Sequence, residues 1–293
     1  MVARIANHRR DAAFGVVAVA AYLGGALWAR YISIPGPALV WFPPAGIAIA
    51  CLYLRPRILP ALVLAEMFST RVIMGLGHEY GVLPLTLNAV GIVGAYGLAA
   101  AAMRRLRLDP RLRSSDDLVI LAFGCLVVGA PIAAVLGVLI QVWIGLSSWD
   151  TFARSLSTFW VGDVVAVACL TPWIVMGGAA FLAGRPLPLA DDERTTPKWL
   201  LLGEYLLPCV GAVWLMGVGE PPMRFVYFAF VPVVGLAIRH GVAAAALSSA
   251  ALGAVISAGA HVAIEDASAR TDVQLLLVML TLTGLIVGAV VSA

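Results

Sequence analysis

Two carboxylates stand out because of what surrounds them. Glu66 and Asp163 each lie well inside a run of apolar residues. In a membrane segment an acidic group so placed faces the bundle interior, where it is paired or functional. Glu66 falls near the middle of its run, and Asp163 about a third of the way along its own, counted at about 1.5 Å per residue. Arg71, Asn88, Trp160 and Pro43-Pro44 fall at a similar depth. Together with Trp41 they make a candidate ligand-binding set: Trp41, Pro43, Pro44, Glu66, Arg71, Asn88, Trp160 and Asp163. Two readings stand side by side. The set lines one pocket open to one side of the bundle, or Arg71 and Asp163 form an ion pair that pins two helices. Glu66 is open to a proton-relay role or to a plain polar contact. Pro43-Pro44 removes two backbone donors. A helix broken there needs protein or a water-filled cavity to satisfy its backbone, while an interfacial turn explains the prolines as well.

Other chemistry finds little to stand on. His78-Glu79 lacks the second histidine of a zinc-protease motif, and His8, His78, His240 and His261 all sit at the ends of apolar runs, so no Ser/His dyad forms inside one. His78, Glu79, His261, Glu265 and Asp266 share one side and could hold a cation, but their spacing matches no metal motif and solvated loop residues explain them. Lys198 is the sole lysine, which excludes a phosphate loop ending in Gly-Lys-Ser/Thr. A net charge of +3 gives no reason to expect nucleic acid. Cys51, Cys125, Cys169 and Cys209 sit singly in apolar runs, as small hydrophobes do. The expectation is a protein with no catalytic residue, no metal and no cofactor.

The elements that must position these residues follow from composition. Of 293 residues, 62% are hydrophobic and 12% charged, and mean hydropathy is +0.98. A soluble domain carries about a quarter charged residues, so the chain reads as an all-helical polytopic membrane bundle forming a single domain over residues 1–293. Ten apolar segments are expected, at 12–34, 41–54, 58–76, 82–103, 118–143, 156–178, 199–218, 224–238, 242–262 and 273–293. The second and eighth are short for a bilayer that asks about 20 residues of a helix, giving eight full spans and two short, kinked or re-entrant ones. With the N-terminus cytoplasmic, fourteen of the nineteen Lys and Arg residues fall on the cytoplasmic side and five on the other. That asymmetry places both termini inside. Trp28, Tyr31, Trp41, Phe42, Trp143, Trp149, Phe152 and Trp160 gather at the outer ends, as an aromatic belt does. Ser114 to Asp117 reads as a helix cap, and Thr196-Pro197 as a helix start. The Ala-, Ser- and Gly-rich ninth segment is expected at the bundle centre. Gly284 and Gly288 make a GxxxG pair in the last segment, suited to a dimer contact or to packing within the chain. The apolar end at Ala293 leads us to expect a longer polypeptide.

Trp41-Phe42-Pro43-Pro44-Ala45-Gly46-Ile47-Ala48 resembles the tryptophan–proline–glycine signature of the MASE1 family of bacterial membrane sensory domains. Three further stretches are similar to that family in order: Arg57 to Ala61; Phe159-Trp160-Val161-Gly162-Asp163 continuing to Leu170-Thr171-Pro172; and Phe228 to Pro232 continuing to Ala237-Ile238-Arg239-His240-Gly241. Glu66 departs from the pattern, which is generally uncharged there. The resemblance implies a non-catalytic input module of the bacterial inner membrane, fused to a histidine kinase, diguanylate cyclase or phosphodiesterase, and so to two-component or cyclic di-GMP signalling. Expected partners are the lipid bilayer, a second copy of the chain, a cytoplasmic output domain, and an unknown small molecule or membrane protein. A small-solute transporter or membrane-bound binding subunit is the alternative, since proline-interrupted spans and intramembrane carboxylates suit it as well.

Overall fold

A computed structural model describes residues 2–32, 41–78, 80–187, 189, 198–217, 224–263 and 267–292. Thr196-Pro197, Glu79, Glu265, Asp266, Arg194 and Ala293, on which several expectations rested, lie outside the described residues. Among the described residues the chain is helical, without strands. The helices are α1 (Val2–Tyr31), α2 (Pro43–Leu54), α3 (Leu59–Phe68), α4 (Val82–Arg105), α5 (Ser115–Ala122), α6 (Ala130–Trp143), α7 (Phe152–Ala183), α8 (Lys198–Gly217), α9 (Phe230–Ala263) and α10 (Ala267–Ser292).

Among the described residues seven helical stretches are long and apolar enough to cross a membrane: Arg9–Tyr31, Val82–Arg105, Ser115–Trp143, Trp149–Ala183, Trp199–Gly217, Val226–Val262 and Thr271–Ser292. The remaining apolar segments are shorter. α2 has 12 residues, and Pro43 to Leu52 are all buried. It is a half-length helix sunk in protein, the setting in which a short segment survives at membrane depth. Pro43 and Pro44 occupy its first turn, where missing N–H groups cost nothing. α3 runs into a π-helical turn at Ser69–Ile73, and α5 joins α6 through a second such turn, Phe123–Gly129.

α9 is two limbs. Gly241 has φ +78° and ψ −163°, outside the helical region. A methyl group placed on Gly284 would lie 2.5 Å from Val233 Cγ1 and 3.7 Å from Ser249 Oγ. A straight helix would set Val233 and Ser249 about 24 Å apart, so the chain doubles back at Gly241. The break falls in the gap expected between the eighth and ninth segments. The second limb is central, as its small residues foretell: Val242 to Ala246 are fully buried.

α7 is the spine, packed against α2, α6, α9 and α10. Its approach to α2 depends on Gly46, where a methyl group would come within 2.5 Å of the Ala166 carbonyl oxygen. Phe42 N–H donates to Gly162 O (3.3 Å) and Thr171 Oγ1 to Gly46 O (3.2 Å), fastening the two helices. At the opposite end of α2, the Arg104 guanidinium donates to Leu52 O (2.5 Å) and Tyr53 O (3.3 Å), satisfying carbonyls left over at a helix C-terminus. Ser114 and Asp117 form a reciprocal capping box at the start of α5. Outward faces carry Val16, Leu98, Val127, Leu207 and Trp214, all exposed, as lipid contact requires.

Candidate functional site

α3, its π-helical turn, α4, α6 and α7 enclose a cavity of about 330 Å³. Met74 and Leu76 beyond the π-helical turn and Ile144 and Leu146 beyond the end of α6 also line it, and the exposure of Leu146 marks this end as its mouth. Apolar walls come from Phe42, Leu85, Ile92, Ile140 and Phe159, and polar groups from Glu66, Ser69, Thr70, Asn88, Gln141, Thr158 and Asp163. Glu66 and Asp163 are both buried, at 3% and 0% exposure.

Each carboxylate is held by a tyrosine from a different helix. Tyr22 of α1 donates its hydroxyl to Glu66 Oε2 at 2.9 Å, and Thr70 donates to Glu66 Oε1 at 3.1 Å. Thr70 stands one turn beyond Glu66, so the two share a face of their segment. Tyr96 of α4 donates to Asp163 Oδ2 at 2.8 Å. Asp163 Oδ1 is buried and has no hydrogen-bond partner among the described residues. Buried polar atoms are nearly always paired, so this one acceptor is left to something beyond the chain's own donors.

Three of the eight expected ligand-binding residues line the cavity: Glu66, Asn88 and Asp163. Pro43, Pro44 and Trp41 are buried, and Phe42 lines the cavity in place of Trp41. Trp41 is therefore not part of an exposed aromatic belt either. Trp160 is 42% exposed and turns away to the surface. Arg71 corrects the reading most. Its side chain is exposed, it does not line the cavity, and it makes no salt bridge with Asp163. Neither the pocket role nor the pinning pair is found for it. Tyr22, Tyr96, Thr70 and Gln141 were missed. Two tyrosines in the middle of apolar runs were the available signal.

Gly284 and Gly288 follow the second of their two readings, packing within the chain. A methyl group on Gly288 would lie 2.7 Å from Val242 Cα, and Gly284 faces Val233, Ala245 and Ser249. The GxxxG face is filled by α9 of the same chain, leaving no room there for a second copy.

A second cluster marks the hinge of α9. Glu204 of α8 accepts from Arg239 Nη1 at 2.6 Å and contacts His240 Nε2 at 2.6 Å. The last turn of α10 meets the same hinge, for Val242 N–H donates to Ser292 Oγ (3.0 Å) and Ser292 Oγ to Gly288 O (2.8 Å). A larger groove of about 650 Å³ runs between α5, α7 and α10, lined mainly by apolar side chains such as Leu118, Leu126 and Leu285.

Searches among curated proteins and among solved structures found no match. The MASE1 family model matches residues 13–293, nearly the whole chain. The chain, a multi-pass helical protein of the membrane, belongs to the MASE1 family of membrane sensory domains.

Proposed function

We propose that this chain is the non-catalytic input module of a signalling protein in the bacterial inner membrane, and that the cavity around Asp163 receives its stimulus. The observation that carries this reading is the buried Asp163 Oδ1, without a partner among the described residues, on the wall of the cavity. The ten helical segments cross or enter the membrane with both termini cytoplasmic, as the fourteen-to-five split of basic residues favours. That orientation turns the mouth at Met74, Leu76 and Leu146 outward. A ligand moves such a module only by binding one packing better than another. α7 offers a direct route inward from Asp163, since Cys169 Sγ lies 3.4 Å from Thr281 Oγ1 of α10. α10 in turn is tied to the Gly241 hinge through Ser292. With its glycines occupied, α10 would meet a second copy through its exposed face at Leu275, Met279, Ile286 and Val290, and pass the change to a histidine kinase, diguanylate cyclase or phosphodiesterase domain.

The test is Asp163→Ala in the intact signalling protein. Output is expected to lose its dependence on stimulus while the protein reaches the membrane at its normal level. Stimulus-dependent output identical to that of the unaltered protein would overturn the assignment.

A further inference from the structure

We infer that the occupant of this cavity is a small organic cation, an ammonium with an apolar body, whose N–H group donates to Asp163 Oδ1. The inference rests on the sensory reading of the cavity given above and adds to it the chemical class of the ligand.

The charge of the walls comes first. Two carboxyl side chains, Glu66 and Asp163, line the cavity, and among the described residues no lysine, arginine or histidine lines it. Arg71, the nearest cation in sequence, is exposed elsewhere. A buried charge is costly unless it is paired, and the described residues supply no basic partner here.

Hydrogen bonding narrows the choice. Both oxygens of Glu66 already accept, from Tyr22 and Thr70. Asp163 Oδ2 accepts from Tyr96. Of the four oxygens of these two carboxylates, Asp163 Oδ1, wholly buried, is the one without a donor among the described residues. The occupant must therefore bring a donor, and a positively charged donor makes the stronger bond to a carboxylate. An anion would meet two acidic groups with no compensating cation.

The walls then exclude a bare metal ion. A hard cation gathers about six or more oxygens around itself, whereas one carboxylate oxygen is open here. No group of three or more metal-ligating side chains occurs among the described residues. Instead Phe42, Phe159, Leu85 and Ile140 present apolar surface, which suits a hydrocarbon body, and aromatic faces attract organic cations. The volume of about 330 Å³ is at the lower end of small-molecule pockets. Asn88 and Gln141 line the same space and set its remaining polarity.

The experiment uses the purified chain in phospholipid nanodiscs at neutral pH. Thermal unfolding is followed against 2-phenylethylammonium, its neutral counterpart 2-phenylethanol, the anion 3-phenylpropanoate, and sodium chloride. A saturable rise in Tm is expected with the ammonium alone. Asp163→Asn is expected to weaken it by about tenfold or more, the size of a charge-assisted contact. Leu146→Trp, which fills the mouth without touching a carboxylate, is expected to weaken it as well and serves if Asp163→Asn does not fold. Equal stabilisation by the alcohol or by sodium chloride, or undiminished binding in the folded variants, would overturn the ligand class. A second readout, the output of the intact signalling protein, separates the two claims. Selective ammonium binding with an unmoved output would sink the sensory reading and keep the site. An output altered by Asp163→Asn without ammonium binding would do the reverse.

Discussion

Asp163 and Glu66 differ in one respect that decides their roles: Glu66 is fully partnered within the protein, and Asp163 is not. Removing the Tyr96 hydroxyl leaves Asp163 with no side-chain donor among the described residues. Tyr96→Phe is expected to lower the stability of the purified chain by about 1 kcal/mol, toward the lower end of what a lost buried hydrogen bond costs because membrane hydrogen bonds are modest. Chemical unfolding in mixed micelles would measure it. Arg71→Ala is expected to change stability by less than about 0.5 kcal/mol in the same assay, as exposed side chains do. The two acidic residues were legible because a charge in an apolar run is conspicuous. Their tyrosine donors were not, because an aromatic residue in such a run is ordinary. Arg71 was misread for a geometric reason. Depth along a helix says nothing about direction around it, and five residues beyond Glu66 an ideal helix has turned about 140° away.

Among the elements, glycines set the spacing. Gly241 holds a left-handed φ that a side chain resists, so Gly241→Ala is expected to cost about 1–2 kcal/mol and to loosen both limbs of α9 from α10, read as faster proteolysis near the hinge. Gly288→Leu would drive a side chain into the Val242 backbone. It is expected to destabilise the single chain, measured by its unfolding midpoint, at protein concentrations where no dimer forms. Loss of dimer with unchanged chain stability would instead return the GxxxG face to a partner. Segment positions were legible from apolar runs and caps, as the Ser114 box and the 242–262 segment show. The π-helical turns at Ser69–Ile73 and Phe123–Gly129 were not, since nothing in their composition differs from α-helix. Nor does a GxxxG pair reveal which helix fills it.

The whole molecule is a bundle whose outward faces carry large apolar side chains, with α7 packed at its centre against α2, α6, α9 and α10. Hydropathy alone made the membrane setting plain, and among the described residues seven helical stretches have the length and composition to cross it. α2 fell short because it is surrounded by protein, and α9 is two limbs that reverse at Gly241. What ties these levels together is the claim that the Asp163 cavity is reached from outside the cell and governs the signalling state. The most direct measurement is labelling of Thr158→Cys, on the cavity wall, by a membrane-impermeant thiol reagent in intact cells, with half-buried Cys209 replaced by Ser and the other three native cysteines buried. Rapid labelling that fixes the output in one state, insensitive to stimulus, is the expected result. Labelling only after the membrane is permeabilised, or complete labelling that leaves the response intact, would contradict it.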